Sequence, residues 1–420
     1  MPVGPDTDPN DDTPAAVGLS TGGFALTWVR AGLGGALNTV QVRGYDAFGT
    51  STTGLLTIDS NTSVGVFDPD IAAFASGNFV VAYRVGPGDI SFGVRDVNGG
   101  LVLAPTALAS SGATESDVAL AYHTLDGAPS VLAVWEDSGG EDGAGYAIRG
   151  RYILANGAVS GAEFTINAQT AGDQLNPDIA ASATGLNAIV WTDMNANSGD
   201  IKLRTVTNVT GGPEIAEMTV NNSVTGLQDN ASVVVLTTGV IVVGWESGTG
   251  VYFRVISAAG AFLTADVLVS ASGLDAQFAP TADGGFTIVY RQNGLDGSGG
   301  TLRMAAYDST HTRVGLYITA NTTTLNDQEE PDVAMLEDGR HILVFSDEST
   351  GTNDDVRYQI IDSRTQTFSG TSGDDTLVGR ATGMTFANDI AYGLDGADVF
   401  HGLSGDDTFW GGNGNDTGYG

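Results

Sequence analysis

An apolar run that ends on an aromatic residue recurs seven times along the chain. The aromatic residues are separated by 55, 52, 56, 54, 45 and 55 positions, and they are Trp28, Tyr83, Trp135, Trp191, Trp245, Tyr290 and Phe345. A period of about 50 residues with several strands per unit is typical of β-propeller blades and similar β arrays. Each unit divides into four strands, of which the aromatic-ending strand is the second. The repeat predicts an all-β fold with a seven-bladed β-propeller.

Seven such units can close into a ring, which removes the exposed strand edges of an open sheet. We assign residues 13–369 to the propeller and residues 1–12 to a disordered, acidic N-terminal tail. The sixth unit looks short by about one strand, and the seventh has a weak fourth strand, for which residues 365–368 are the candidate. A count of six or eight blades would require a different alignment at the two ends.

Three further features repeat with the strands. The seven aromatic residues are expected to pack between neighbouring blades, and a ring of aromatic ligands for a sugar is the alternative. Glutamines recur near the joins between units: Gln174, Gln228, Gln277 and Gln328. Third strands often carry an arginine, which either pairs with a nearby carboxylate or forms a basic rim for an anionic glycan: Arg43, Arg151, Arg204, Arg254 and Arg357.

Composition excludes several classes of protein. The net charge of −34 argues against nucleic-acid binding, which needs a basic surface, and favours a surface that attracts cations. Because there is no cysteine, no disulfide can form. The N-terminus has neither a basic start nor an apolar segment, so it does not resemble a cleavable signal peptide. No apolar run reaches about 18 residues, so no transmembrane segment is predicted.

From Gly370 the sequence changes to nine-residue units, "GTSGDDTLV", "GLDGADVFH", "GLSGDDTFW" and "GGNGNDTGY". Glycines permit tight turns in which backbone carbonyls converge, and the aspartates add carboxylate oxygens at the same place. An all-oxygen ligand set selects calcium over softer metals. The predicted calcium-binding residues are Asp375, Asp398, Asp407, Asp416, Gly393, Asp395, Gly402, Gly411 and Asn413. The turns that follow the second strands, at residues 138–145 and 293–300, are expected to be flexible, with weak calcium binding as an alternative.

These nonapeptides resemble the RTX (hemolysin-type) calcium-binding repeats. The resemblance implies a short parallel β-roll over residues 370–420, with ions held between stacked turns. Turns two repeats apart share an ion in that family, so the turn at residues 393–398 is expected to lie over the turn at 411–416. The pattern degenerates at residues 379–392. The upstream units also resemble repeats of large bacterial proteins that are exported by type I secretion.

That family carries an uncleaved export signal after its repeats. Since this chain ends inside a repeat, we expect it to be a fragment or a processed product. The resemblance therefore implies a secreted protein, extracellular or attached to a cell surface.

No catalytic residues are predicted. The four histidines, His123, His311, His341 and His401, have no metal-ligand spacing, and neither H-E-x-x-H nor G-x-S-x-G occurs. Three hypotheses remain. The first is a calcium-binding extracellular protein whose propeller acts as a binding or adhesion module for a glycan or protein partner. The others are a propeller enzyme, a lyase or glycosidase that degrades polysaccharide, and a self-assembling component of a surface layer or fibre. The absent motifs favour a binding role over an enzymatic one.

Overall fold

A computed structural model describes most of the chain. The described residues are 3, 11–32, 36–60, 64–125, 127–140, 142–182, 185–195, 199–206, 215–223, 226–248, 250–295, 298–349, 354–362, 367–378, 384–385, 389–401 and 407–419. Within them the secondary structure consists of 34 strands, numbered along the chain, without a helix. None of these residues belongs to a helix long and apolar enough to cross a membrane.

Seven four-stranded sheets, which we call blades 1 to 7, form the propeller. Blades 1 to 4 consist of β1 (Asp11–Gly18), β2 (Phe24–Arg30), β3 (Thr39–Tyr45) and β4 (Leu56–Asp59); β5 (Val66–Ala73), β6 (Phe79–Val85), β7 (Asp89–Arg95) and β8 (Leu101–Ala109); β9 (Glu115–Leu125), β10 (Ala128–Asp137), β11 (Ala147–Leu154) and β12 (Val159–Thr165); β13 (Gln174–Ala181), β14 (Asn187–Asp193), β15 (Asp200–Val206) and β16 (Met218–Thr219). Blades 5 to 7 consist of β17 (Gln228–Val235), β18 (Ile241–Ser247), β19 (Gly250–Ile256) and β20 (Val267–Ser270); β21 (Gly273–Pro280), β22 (Phe286–Asn293), β23 (Gly300–Tyr307) and β24 (Arg313–Thr319); β25 (Gln328–Met335), β26 (His341–Asp347), β27 (Asp355–Asp362) and β30 (Met384–Thr385).

The first strand of each blade lines a central channel, and the later strands lie progressively further out. Except for β27 and β30, neighbouring strands within a blade are antiparallel. All first strands begin at one end of the ring, which we call the upper face. The turns between first and second strands lie at the opposite, lower face. The predicted seven-bladed propeller is confirmed.

The repeated aromatic residues form the packing between blades. Trp28, Trp135 and Trp191 have no exposed surface, and Trp245 is 2% exposed. Each contacts the preceding blade: Trp135, for example, shares an apolar cluster with Phe74 and Phe92 of blade 2. Trp28 shares one with Leu336 of blade 7, which joins the last blade to the first. The packing interpretation is confirmed.

Two expectations about the repeat were wrong in detail. Blade 6 has all four strands. The interval from Trp245 to Tyr290 is short because of blade 5, where only two residues separate β18 from β19, and because only two residues separate β20 from β21. Gln277 is also not equivalent to the other recurring glutamines. It lies at a bulge inside β21, whereas Gln174, Gln228 and Gln328 are the first residues of β13, β17 and β25.

The fourth strand of blade 7 is not at residues 365–368. Residues 365 and 366 lie outside the described part of the chain, and Thr367–Ser369 forms β28, which pairs with a strand of the C-terminal roll. The strand that pairs with β27 is instead β30, and it pairs in parallel at Ile361 and Asp362. β30 comes from the degenerate stretch between the nonapeptides, so the propeller takes a strand from the C-terminal segment.

The N-terminal segment contributes to the other end of blade 7. Val3 is fully buried, and its amide donates to the carbonyl of Val356 in β27 at 3.0 Å. In blades 3, 4 and 6 the equivalent bond to the third strand is made by Ile166, Val220 and Ala320. Each of these residues directly follows the fourth strand of its blade. Part of the predicted tail therefore belongs to the ring, since Val3 is buried there and β1 begins at Asp11. Residues 1–2 and 4–10 lie outside the described residues.

The remaining strands form a small roll of two parallel three-stranded sheets. One contains β28 (Thr367–Ser369), β31 (Ile390–Tyr392) and β33 (Thr408–Trp410); the other contains β29 (Thr376–Val378), β32 (Val399–His401) and β34 (Thr417–Tyr419). Its core is thin. Ala391 and Phe400 are buried, and Phe400 stacks on Phe409 with ring centroids 5.6 Å apart. The parallel strands confirm the predicted β-roll.

Candidate functional sites: the calcium turns and the channel mouth

Three glycine-rich turns stack along one side of the C-terminal roll. The amide of Asp375 donates to Asp398 Oδ1 at 2.9 Å, and the amide of Asp398 donates to Asp416 Oδ1 at 3.0 Å. The turn at residues 393–398 therefore lies against the turn at 411–416, as the resemblance to RTX repeats implies. On the other side of the roll, the amide of Asp389 donates to Asp407 Oδ1 at 2.8 Å.

Carboxylate and carbonyl oxygens converge at the glycines of these turns. A side chain on Gly393 would come within 2.2 Å of Asp398 Oδ2 and 2.5 Å of the Gly411 carbonyl oxygen, so only glycine fits. Asp398 is fully buried, and its Oδ2 has no hydrogen-bond partner among the described residues; the same holds for Asp407 Oδ2. A buried carboxylate oxygen without a donor, beside a backbone carbonyl, fits a hard cation such as calcium.

The other predicted ligands are placed differently. Asn413 Nδ2 donates to Asp395 Oδ1 at 2.8 Å on the exposed rim of the stack, and Gly402 lies outside the described residues. Within the described part of the chain, no group of three His, Cys, Asp or Glu side chains has metal-binding geometry. Any calcium ion here therefore needs backbone carbonyl oxygens as well as carboxylates, which is usual for this ion.

A second site, which the sequence did not indicate, is the upper mouth of the propeller channel. It opens into a chamber of about 450 Å³ lined by the first strands of all seven blades. Each first strand contains one residue with a left-handed backbone, with φ between 47° and 53°: Thr13, Asp68, Asp117, Asn176, Asn230, Asp275 and Glu330. Each lies at a β-bulge, which directs polar side chains around the mouth. In four blades a proline follows this residue, as in "FDPDIAA" and "QEEPDVAM", and that recurring pair is the signal by which the ring could have been found.

Carboxylates reinforce this ring by bonding to the next blade; Glu136 and Glu246 belong to second strands, and Glu330 is itself a member of the ring. Glu136 accepts the amide of Asn176, and Glu246 Oε1 accepts the amide of Asp275 at 2.8 Å, so each bridges to the next blade. Glu330 Oε2 accepts the amide of Thr13 at 3.0 Å across the closure of the ring. Burial raises the pKa of Glu136, and the Asp117 carboxylate raises it further. Burial and the neighbouring Asp12 likewise raise the pKa of Glu330.

Two arginines interrupt the acidic mouth. Arg84 Nη2 lies 2.9 Å from Asp68, and Arg291 Nη1 lies 2.8 Å from Glu329. By contrast, the third-strand arginines serve the joins between blades: Arg151 and Arg254 donate to the carbonyls of Leu108 and Val220 in the preceding blade, at 2.9 and 2.7 Å. The basic-rim interpretation of the third-strand arginines is therefore wrong for these two, because their guanidinium groups are bound within the ring.

Asp70, Asp178 and Asp332 line both this chamber and a second chamber of about 400 Å³. Their carboxylates accept amides from the first strand of the next blade, namely those of Leu120, Val233 and Ala16, at 2.6, 2.7 and 2.7 Å. Burial raises the pKa of Asp70 to about 8, with a smaller contribution from Asp332, and raises the pKa of Asp332 to about 6. These three residues join blades 2 to 3, 4 to 5 and 7 to 1.

Comparison with known families decides the nature of the roll. Residues 362–381 and 385–418 match the RTX calcium-binding nonapeptide repeat, which occurs in four copies. The C-terminal segment is an RTX repeat tract. The match is interrupted between residues 381 and 385, where β30 begins, and β30 is the strand that pairs with the propeller. A search of curated proteins found no match for the sequence.

Solved structures resemble the chain at low identity. A protein of unknown function from Dyadobacter fermentans superposes with a TM-score of 0.55 at 12% identity, covering 86% of this chain and 96% of that one. An alpha-L-arabinanase from Penicillium chrysogenum gives 0.49 at 12% identity, covering 67% and 88%. The NanB sialidase from Streptococcus pneumoniae, as a mutant, gives 0.47 at 10% identity, covering 84% and 67%. At this identity the first likeness shows the fold alone.

Proposed function

We propose that the protein is a secreted, calcium-binding extracellular protein whose propeller binds a glycan or protein partner at the upper mouth of the channel. The observation that carries this proposal is the ring of left-handed residues, to which every blade contributes one. A concave chamber with convergent polar groups on a rigid framework is the usual form of a binding site. The RTX tract supports the calcium and the extracellular setting, and type I export is the route that the tract suggests.

The charges at the mouth narrow the class of ligand. Asp68, Asp117, Asp275 and Glu330 contribute carboxylates, against the two guanidinium groups of Arg84 and Arg291. An acidic polysaccharide would be repelled by this mouth and by the net charge of −34. Neutral sugar hydroxyls can donate to the carboxylates and accept from the arginines and from Asn176 and Asn230. We therefore favour a neutral glycan, or a protein loop with basic side chains.

The test is a binding screen of the calcium-saturated chain on arrays of neutral and acidic glycans, followed by mouth variants. Asp275→Asn keeps a residue that tolerates the left-handed backbone, and Arg291→Gln removes one guanidinium. Both should weaken binding by roughly tenfold or more, the effect of about 1.4 kcal/mol. Asp338→Asn, the same change on the lower face, is the matched control and should bind as the wild type does. Unaltered binding in both mouth variants would refute the mouth as the site.

One observation favours an enzyme as the second candidate. The pKa of Glu136 is raised by burial and by Asp117, which lines the mouth, so a protonated carboxyl group lies directly behind the mouth; a protonated carboxyl is what a glycosidase uses as general acid. Turnover of polysaccharide that is lost in Glu136→Gln but kept in Glu337→Gln would establish this role. If no panel of neutral or acidic polysaccharides is degraded, the enzymatic candidate fails.

A further inference from the structure

At the upper end of each blade, one residue of the first strand lies opposite one residue of the second strand. The seven blades can be compared at this pair. In register, these cross-strand pairs are Asp11–Arg30, Val66–Val85, Glu115–Asp137, Gln174–Asp193, Gln228–Ser247, Gly273–Gln292 and Gln328–Asp347. Blade 3 is the one that places two carboxylates opposite each other. Like charges directly across a sheet are destabilising, so this pair needs an explanation.

The acidic residues of the other pairs have countercharges or donors. Asp11 is bound to Arg30 at 3.2 Å, and Asp193 lies 3.5 Å from Lys202. Asp347 is paired with Arg357, and it also accepts from Gln328 Nε2 at 3.1 Å. In blade 3 the residue in the register position of Lys202 and Arg357 is Arg149. Its Nη1 donates to Thr165 Oγ1 at 2.6 Å, and its Nη2 lies 3.8 Å from Glu163.

Both carboxylates of the blade 3 pair are buried, and each has one oxygen without a partner. Glu115 is 0% exposed and Asp137 is 1% exposed. Glu115 Oε1 accepts from the amide and hydroxyl of Ser111, and Asp137 Oδ1 accepts the amide of Gly139 at 2.7 Å. Glu115 Oε2 and Asp137 Oδ2 have no hydrogen-bond partner in the described part of the chain. Two adjacent buried carboxylates that form no ion pair within the described residues are strongly destabilising when both are ionised.

We propose that Glu115 and Asp137 bind a calcium ion at the junction of blades 2 and 3. In blade 7 the amide nitrogen of Gln328 donates to Asp347; in blade 3 a cation takes that role because an ionised glutamate has no hydrogen to donate. One Ca²⁺ neutralises the two carboxylates, and hydroxyl oxygens of Ser111 and Ser138 lie on the flanking turns, which suits an oxygen-only ligand set. The amide of Glu115 donates to Gly88 of blade 2 at 2.9 Å, so the ion would tie two blades together.

The test follows amide exchange at the site in the full chain, with and without calcium. Three amides report on it: Glu115 bonded to Gly88, Ser138 bonded to the Thr114 carbonyl at 3.0 Å, and Gly139 bonded to Asp137. Calcium at about 100 times its dissociation constant should slow their exchange by about 100-fold in the wild type. The same slowing is expected in Asp398→Ala, whose lesion lies in the RTX tract. The Asp398→Ala variant therefore distinguishes calcium binding at the blade 3 site from calcium binding at the RTX tract.

Glu115→Gln installs the residue that blades 4, 5 and 7 have at this position. In this variant the three amides should exchange slowly even in chelator, and calcium should not change their exchange. The variant should also bind one calcium ion fewer than the wild type in equilibrium dialysis. Asp89→Asn is the matched control, because it removes a nearby exposed charge and should keep the response. Asp137→Asn should behave as Glu115→Gln does. Protection in the wild type that is equal in chelator and calcium but is lost as pH rises would mean a shared proton instead, and would overturn the proposal.

Discussion

At the scale of single residues, the channel mouth is built from backbone conformations that most side chains avoid. Asn and Asp tolerate the left-handed region because their short polar side chains can bond locally, and they fill five of the seven positions. Thr13 and Glu330 are less suited to it, and a β-branched residue with positive φ is a genuine outlier. Both belong to the join between blades 7 and 1, where Glu330 Oε2 accepts the amide of Thr13. Strain of this kind is concentrated at functional sites.

The buried carboxyl of Glu136 predicts a pH dependence of stability. Its pKa is raised, so the folded state holds this proton more strongly than the unfolded state does. The resulting stability is complete below the ordinary glutamate pKa of about 4.3 and is lost as pH rises through the raised value. Glu136→Gln removes this dependence while its side-chain oxygen can still accept the Asn176 amide.

We expect Glu136→Gln to be more stable than the wild type at pH 8, on the order of 1–3 kcal/mol, since a difference of one in pKa corresponds to about 1.4 kcal/mol. At pH 4 the two proteins should differ little. Urea unfolding in saturating calcium at both pH values provides the measurement. Glu337→Gln, an exposed change on the lower face, is the control. A variant that is equally destabilised at both pH values would contradict the prediction.

At the scale of the strands, blade 7 is completed by two segments that are distant from it in sequence. Val3 bonds to the upper end of β27, and β30 pairs with its lower end. The spacing agrees with an equivalence between Val3 and Ile166, the residue that follows the fourth strand of blade 3: Val3 and Asp11 are eight residues apart, as are Ile166 and Gln174. Arg43 Nη1 of blade 1 donates to the Val3 carbonyl at 2.8 Å, as Arg151 of blade 3 donates to the Leu108 carbonyl of blade 2. The N-terminus thus closes the ring.

Val3→Ala tests this closure. Removing two buried carbon atoms should cost about 2 kcal/mol through lost burial and the cavity left behind. Val102→Ala, on the outer strand of blade 2 where the side chain is 39% exposed, should cost much less. Urea unfolding of both variants in calcium gives the comparison. Equal costs would mean that Val3 contributes nothing to the ring.

The parts of the fold and of the sites that could be predicted from the sequence are those marked by a pattern of neighbouring residues. The aromatic strand of each blade and the nonapeptides are contiguous in sequence, so their roles could be predicted residue by residue. The contribution of Val3 could not, because a single apolar residue in an acidic stretch has no periodicity. Glu115 and Asp137 lie 22 positions apart, and only the register of β9 on β10 makes them neighbours. The fourth strand of blade 7 was misplaced because β30 follows two strands of the roll.

At the scale of the whole molecule, β30 connects two parts that differ in how they are stabilised. The propeller has an extensive apolar core, with a cluster between each pair of adjacent blades. The RTX tract has a thin one, and residues 370–420 contain eight aspartates. Without a cation, stacking the turns would bring like charges together, and the small core could not offset this repulsion together with the loss of backbone entropy. Since calcium converts these carboxylates into ligands, its binding free energy contributes to folding.

We therefore predict that chelation unfolds the RTX tract and leaves the propeller folded. Circular dichroism and amide exchange, with and without millimolar calcium, measure both parts in one experiment. Amides of residues 390–401 and 408–419 should lose protection in chelator, whereas those of β2, β14, β18 and β22 should keep it. Because β30 pairs with Ile361 and Asp362, the lower end of β27 should also exchange faster once the tract unfolds.

Asp398→Ala removes the fully buried carboxylate of the central turn, whose Oδ2 has no partner among the described residues, so it should raise the calcium concentration needed to fold the tract. Asp6→Ala makes the same change in the acidic N-terminal stretch and should leave that concentration unaltered. Both variants remove one negative charge, but only Asp398→Ala removes a predicted calcium ligand. Comparing the two variants therefore distinguishes the loss of a ligand from a general reduction of negative charge. A tract that stays protected in excess chelator would show that calcium does not order the roll, and equal calcium responses of the two variants would show that Asp398 is not a ligand. The expected result would make the tract a fold that depends on calcium as a whole, attached to a propeller whose apolar clusters stay folded in chelator, with β30 transmitting the difference to blade 7.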